Sequence, residues 1–271
     1  LAFAVAFAVS AAAGLFIVPY LRKIKAGQMI KEIGPTWHMT KQGTPTMGGL
    51  IFIIGIAVSI IAVGFPQMLK GELTHIYVLV FSLVYGAIGF FDDYQKLKKK
   101  QNTGLSAKQK FLLQLVAALL FILVMRHTGF VKTSLYIPFF NTTVHMPEWL
   151  YFVFAAFVIV GTVNAVNITD GIDGLASSVS VIVAIFFGIA AFLAAEAVNA
   201  PLYFASAIVL GVCAGFLVYN FYPARVFMGD TGSLFLGGLA VGAAFLLNNP
   251  LIIVVCGFVY ICETASVMLQ V

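Results

Sequence analysis

Residues 76–100 read IYVLVFSLVYGAIGFFDDYQKLKKK. An apolar run, 76–91, ends on two consecutive carboxylates and then on a lysine-rich tail. With its flanks such a run is long enough to cross a bilayer, which takes roughly 20 residues of helix, and the change to charge marks where it meets water. The pattern recurs on both sides. Apolar runs at about 1–21, 47–65, 111–126, 149–166, 175–195, 201–219, 233–247 and 251–271 bring the candidate spans to nine. Composition agrees, since 62% apolar and 9% charged residues lie outside the range of soluble domains. Hydrocarbon offers no partner for free backbone groups, so the spans must be helices. Residues 1–271 are expected to form a single integral membrane domain, an all-α polytopic transmembrane bundle with no separate soluble part.

The basic residues give the orientation. Connections between an odd span and the next even one hold twelve of the fifteen Lys and Arg: Arg22, Lys23, Lys25, Lys31, Lys41, Lys96, Lys98, Lys99, Lys100, Lys108, Lys110 and Arg225. The other connections hold three, Lys70, Arg126 and Lys132. The positive-inside rule therefore puts the first set in the cytoplasm and Leu1 outside. The net charge of +5 is an orientation signal rather than a nucleic-acid footprint, and a basic inner face would also hold anionic lipid or nucleotide. Cys213, Cys256 and Cys262 fall inside apolar segments without CxxC spacing and read as packing residues. On the outer side, Leu135, Ile137 and Phe139 with the Asn141-Thr142-Thr143 turn predict a small β-hairpin.

The inner connections carry the chemistry. Asp92 and Asp93 close the third run, Asp170 and Asp173 lie in NITDGIDG (167–174), and Asp230 lies in FMGDTGS (227–233). An acid on the cytoplasmic side is unremarkable singly, because Asp and Glu barely affect topology. Three loops bringing carboxylates to one depth is another matter, since like charges repel unless a cation sits among them. Mg²⁺ suits oxygen ligands and phosphate-bearing substrates. The stretch from Lys96 to Lys110 stands ready to neutralise phosphate oxygens. The second, fourth, sixth and eighth spans also point their N-termini at this face, behind the small-residue segments 43–49, 103–106, 170–174 and 229–233. Helix N-termini favour anions, and together these features describe a diphosphate site.

Gly43 to Gly49, Phe91-Asp92-Asp93-Tyr94, Asn164 to Leu175 and Val226 to Leu234 resemble, in order, the motifs of the phospho-N-acetylmuramoyl-pentapeptide transferases, within the polyprenyl-phosphate N-acetylhexosamine-1-phosphate transferase superfamily. The resemblance implies ten helices, of which nine are visible here, and a homodimer in the bacterial inner membrane with its active site facing the cytoplasm. It implies Mg²⁺-dependent transfer of phospho-MurNAc-pentapeptide from UDP-MurNAc-pentapeptide to undecaprenyl phosphate, giving lipid I and UMP. Matched by motif, the catalytic set is Asp92, Asp93, Asp230, Lys100 and Lys108, with Asp230 the metal ligand. The substrate-binding set is Lys41, Thr46, Asn167, Asp170, Asp173, Phe227 against uracil, Gly229, Ser233 and Gln270. The family's His-rich cytoplasmic loop and last helix have no counterpart in this chain. Two rivals stand beside this reading. A sister transferase would hand GlcNAc-1-phosphate to the same lipid. A secondary transporter would gather its ionisable groups near the midplane, whereas here Glu263 alone lies deep in an apolar run and reads as a bundle-facing hydrogen-bonding group.

Overall fold

The computed structural model describes all residues except 25–42, 72, 100, 102, 138–139, 194–198 and 271. Lys41 and Lys100 lie outside the described residues. In chain order the elements are α1 (Ala2–Lys23), α2 (Gly49–Leu69), α3 (Thr74–Lys99), α4 (Ala107–His127), β1 (Ser134–Ile137), β2 (Thr142–His145), α5 (Glu148–Thr169), α6 (Leu175–Leu193), α7 (Asn199–Asn220), α8 (Gly229–Leu246), α9 (Ile252–Cys256) and α10 (Phe258–Gln270). Among the described residues, eight helices, α1 to α8, are long and apolar enough to cross a membrane. The protein is a multi-pass helical membrane protein.

The ninth apolar run forms two helical segments among the described residues. It is broken at Gly257 into the five-residue α9 and the 13-residue α10. Glycine is the weakest helix former after proline, and at this position a Cβ would stand 2.7 Å from the Ile253 carbonyl oxygen. Hydropathy alone does not report such a break. The hairpin is as expected: β1 and β2 pair antiparallel with Leu135 opposite Val144 and Ile137 opposite Thr142. Asn141 takes a positive φ of 45° in the turn.

The bundle is built around α8, in which every residue from Thr231 to Leu246 is buried. Its sequence, GDTGSLFLGGLAVGAAFL, is rich in Gly and Ala, the residues that let helix backbones approach closely where lipid supplies no hydrophobic drive. A Cβ on Gly237 would stand 2.7 Å from Cα of Val163, which fixes how closely α5 lies against α8. On α3, a Cβ on Gly89 would run into the Asp230 carbonyl group at the start of α8. That crossing sets Asp92 and Asp93, one turn further along α3, beside the N-terminus of α8. Phe91 and Tyr94 point outward and are exposed, the arrangement expected of a lipid-facing flank.

Because the obstacle at Gly89 is backbone, no rotamer change can relieve it. Gly89→Ala is expected to destabilise by about 1–3 kcal/mol. Thermal unfolding in detergent should show a lowered midpoint, and an unchanged midpoint would mean that α3 and α8 are less tightly apposed than described.

Candidate active site

At one end of the bundle the C-terminal turns of α3 and α5 meet the N-terminal turns of α4 and α8. Asp92 and Asp93 are 3% and 4% exposed, both buried although consecutive, because α3 is enclosed on two sides at this level. On one side, the Asp92 Oδ1 accepts a hydrogen bond from the backbone N–H of Leu105 at 2.8 Å. Gly104 allows this approach, since a Cβ there would press on the Asp92 carboxylate at 2.5–2.7 Å. On the other side, Asp93 receives the start of α8: its Oδ2 accepts from the Thr231 N–H at 2.9 Å and the Thr231 hydroxyl at 2.7 Å, and its Oδ1 from the Asp230 N–H at 3.3 Å. Asp93 thus does from another helix what an N-cap does from its own, satisfying orphan amides at the positive end of α8.

Asp230 completes the cluster. Its Oδ1 accepts from the Asn167 amide at 2.8 Å, and its Oδ2 from the Lys110 and Lys96 ammonium groups at 2.8 and 3.1 Å. Lys96 also pairs with Asp92 and lies 3.6 Å from the Asp93 Oδ1. One ammonium therefore touches all three carboxylates. The Asn167 amide donates to the Ser233 hydroxyl at 2.7 Å as well, and that hydroxyl donates to the Gly229 carbonyl at 3.0 Å. Ser233 is fully buried and orients Asn167 and the first turn of α8.

Asp170 is the C-cap of α5, which ends at Thr169. Burial first, and then the charges of Asp230, Asp93 and Asp173, push its carboxyl well above the usual carboxylate range. Asp173 accepts from the Ala224 N–H at 3.0 Å and so steadies the loop into α8. That loop is tied to the segment before α2: the Phe227 N–H donates to the Pro45 carbonyl at 2.8 Å, and Gly48 N–H returns to the Phe227 carbonyl at 2.8 Å. Thr46 and the half-buried Phe227 are neighbours in consequence. Gly229, with a φ of 70°, turns the chain into α8 where a Cβ would press on the Asp93 carboxylate at 2.6 Å.

The structure therefore brings Asp92, Asp93, Asn167, Asp170, Asp173, Gly229, Asp230 and Ser233 together, with Thr46 and Phe227 on the adjoining loops. Lys108 is exposed on α4. Gln270 is exposed near the end of α10 and donates to the Ser266 hydroxyl of its own helix at 3.0 Å. Among the described residues the lysines in contact with the acids are Lys96 and Lys110; the motifs pointed to Lys108, which is exposed, and to Lys100, which lies outside the described residues. Helical spacing held the signal for Lys96, which follows Asp92 and Asp93 by four and three residues and so shares their face. Lys110 had a fainter one. It precedes Gln114 by four residues, on a helix whose start is fixed by a Ser106–Gln109 capping box.

The donor set suits a hard divalent cation. Asp92, Asp93 and Asp230 each offer a carboxylate oxygen, and these lie within 4.8 Å of one another. An octahedral ion with metal–oxygen distances of about 2.1 Å needs ligand oxygens roughly 3–4 Å apart. A small adjustment would bring the three carboxylates onto one ion.

The profile of glycosyl transferase family 4 matches residues 75–248, which makes this helical membrane bundle, with acids and lysines gathered at one end, a membrane-embedded transferase of that type. A phospho-N-acetylmuramoyl-pentapeptide-transferase signature matches residues 41–53. Three proteins called phospho-N-acetylmuramoyl-pentapeptide-transferase are similar over almost the whole chain. That of Listeria innocua serovar 6a is 42% identical, covering 99% of this chain and 81% of its own. The Bacillus cytotoxicus protein is 44% identical, covering 98% and 81%, and the Heliobacterium modesticaldum protein 46%, covering 100% and 81%. The chain belongs to the phospho-N-acetylmuramoyl-pentapeptide-transferase family.

The hydrogen bonds at Asp93 separate its role from that of Asp92. Asp93→Ala strands the Thr231 hydroxyl and two α8 amides, and is expected to lower thermal stability by at least about 1–3 kcal/mol whether or not substrates are present. Unfolding followed in detergent, with Asp92→Ala beside it, checks this. An Asp93→Ala midpoint equal to that of the unsubstituted chain would remove the capping role.

Proposed function

We propose that this chain transfers phospho-MurNAc-pentapeptide from UDP-MurNAc-pentapeptide to undecaprenyl phosphate, giving undecaprenyl-diphospho-MurNAc-pentapeptide, lipid I, and UMP. The observation that carries the reading is the cluster of Asp92, Asp93 and Asp230 with Lys96 and Lys110 at the end of the membrane bundle, in a chain 42–46% identical to transferases of that name. Such a cluster sits where a lipid phosphate anchored in the bilayer and a nucleotide arriving from water can meet. Acids gathered at helix ends rather than at the midplane speak against a transporter. The excess of Lys and Arg in the connections at this end supports a cytoplasmic active site in the bacterial inner membrane. Homodimer assembly rests on the family resemblance.

The acceptor is a phosphate monoester with a second pKa near 6, so it is largely dianionic at neutral pH. An acceptor oxygen attacks the phosphorus that bears the sugar, a new P–O bond forms, and the P–O bond to UMP breaks with its electrons leaving on UMP. Strong base catalysis is unnecessary for an oxygen already ionised. The work lies in screening two anions and aligning them.

In this reading Asp230, with Asp92 and Asp93 beside it, holds Mg²⁺, which supplies charge screening and alignment of phosphate oxygens when bound. Lys96 and Lys110 stand next to the carboxylates, where they neutralise phosphate oxygens. Asp92 orients the acceptor, since Asp93 is engaged by α8. Phe227, beside Thr46, offers a ring face for uracil, and Asn167 and Asp170 border the nucleotide.

Purified protein supplied with UDP-MurNAc-pentapeptide, undecaprenyl phosphate and Mg²⁺ should release UMP and form lipid I, and should leave UDP-GlcNAc unused. Use of UDP-GlcNAc in its place would move the chain to the sister activity. Asp230→Asn keeps the size and one oxygen but not the charge, and should lower turnover by about 10- to 100-fold or more while the protein still folds. Near-normal turnover at limiting Mg²⁺ would reject the ligand role of Asp230.

A further inference from the structure

One to three turns from the acid cluster along α3, α4 and α5 lies a second polar group, which makes no contact with the acids themselves in the hydrogen bonds of its side chains. The Asn164 amide donates to the Gln114 Oε1 at 2.6 Å, and the Gln114 amide returns to the Asn164 Oδ1 at 3.4 Å, a reciprocal pair between α4 and α5. Asn164 also donates to the Val160 carbonyl at 2.8 Å. From α3, the Tyr85 hydroxyl donates to the backbone carbonyl of Gln114 at 2.7 Å. Gln114 and Tyr85 have no exposed surface. Three helices are therefore pinned to one another at a single level.

Helical geometry relates that level to the site. Lys110 precedes Gln114 by four residues, Asn167 follows Asn164 by three, and Asp92 follows Tyr85 by seven. At 100° per residue each partner lies within about 60° of the face carrying its tripod residue, and at 1.5 Å per residue between about 4 and 11 Å along the helix. All three therefore stand over the tripod. Both Lys110 and Asn167 end on the Asp230 carboxylate.

Hydropathy cannot hold α4 in this orientation. Its buried face carries Ala117, Ala118, Phe121, Ile122 and Met125, and its exposed face Leu112, Leu113, Val116, Leu120 and Leu123. In lipid two such faces are nearly equivalent, because the tails are as apolar as leucine. A slip of one residue would rotate Lys110 by 100° and carry it off Asp230. A buried amide must find its partner, so Gln114 allows one rotation of α4 and rejects the others, as a single buried polar residue fixes register in coiled coils.

We infer that Tyr85, Gln114 and Asn164 form a positioning tripod that aims Lys110 and Asn167 at Asp230. They are positioning residues, reaching the reaction only through those two side chains. The inference rests on the proposed transfer reaction, since its test reads that turnover.

The test compares the double variant Gln114→Leu/Asn164→Leu, which strands no polar group, in two backgrounds: the unsubstituted chain and Lys110→Met. UMP release from UDP-MurNAc-pentapeptide and undecaprenyl phosphate is measured alongside the thermal midpoint. In the unsubstituted background kcat should fall roughly tenfold with KM for the nucleotide nearly unchanged. In Lys110→Met the same substitutions should cost under about threefold, because effects that share a path do not add. The exchanged pair Gln114→Asn/Asn164→Gln, which keeps both amides, should recover a large part of kcat. An equal loss in both backgrounds, or a lowered midpoint with kcat kept, would reduce the tripod to ordinary helix adhesion and overturn the inference. If the double variant does not fold, Gln114→Met carries the same comparison. Absence of UMP release from the unsubstituted chain would overturn the transfer reading and this inference with it, whereas release with equal losses would overturn this inference alone.

Discussion

Three carboxylates held within 4.8 Å at the edge of a membrane bundle are the constraint on which the rest of the structure depends. Two unit charges about 4 Å apart repel by about 4 kcal/mol at an effective dielectric of about 20, so Asp92, Asp93 and Asp230 cannot share a site without compensation. Lys96 and Lys110 supply positive charge, the N-terminus of α8 adds its amides to Asp93, and the Leu105 N–H and the Asn167 amide take up oxygens of Asp92 and Asp230. These groups come from four parts of the chain, α3, the start of α4, the end of α5 and the start of α8. The cluster can exist only where four helix ends are fixed relative to one another.

That fixing explains the sequence of α8 and its neighbours. A helix buried from Thr231 to Leu246 must be thin, and its glycines and alanines make it so. Close approach of α3 at Gly89 and of α5 at Gly237 then sets the depth at which Asp93 meets Thr231 and Asn167 meets Asp230. Packing in lipid supplies shape but little preference for rotation. A buried polar pair such as Gln114 and Asn164, one turn from Lys110 and Asn167, supplies the preference.

The alternation of apolar runs and basic connections made the helical membrane fold legible. The clustering of Asp92, Asp93, Asp170, Asp173 and Asp230 at the ends of apolar runs made the site legible as well, because topology alone brings those ends to one face. The partners of the acids were less so. Lys100 and Lys108 stand beside Lys96 and Lys110 in sequence, and composition does not separate them. Lys110 reaches Asp230 while Lys108 stays exposed, because the two are 200° apart around α4. The break at Gly257 was hidden for a related reason, since hydropathy measures length and apolarity and not continuity of the helix.

By itself the sequence determined that this protein lies in a membrane, which ends of its helices carry charge, and which acids gather there, because burial of apolar length and the positive-inside rule act on local composition. Only the tertiary structure decided that Asp93 caps α8 from α3, that Asp230 takes two lysines and an asparagine, and that Gln114 and Asn164 face each other beneath them. Those contacts depend on helix rotation and crossing depth, which arise from glycine-limited approach and from pairing of buried amides between segments up to about 140 residues apart, as for Asp93 and Thr231 at a separation of 138.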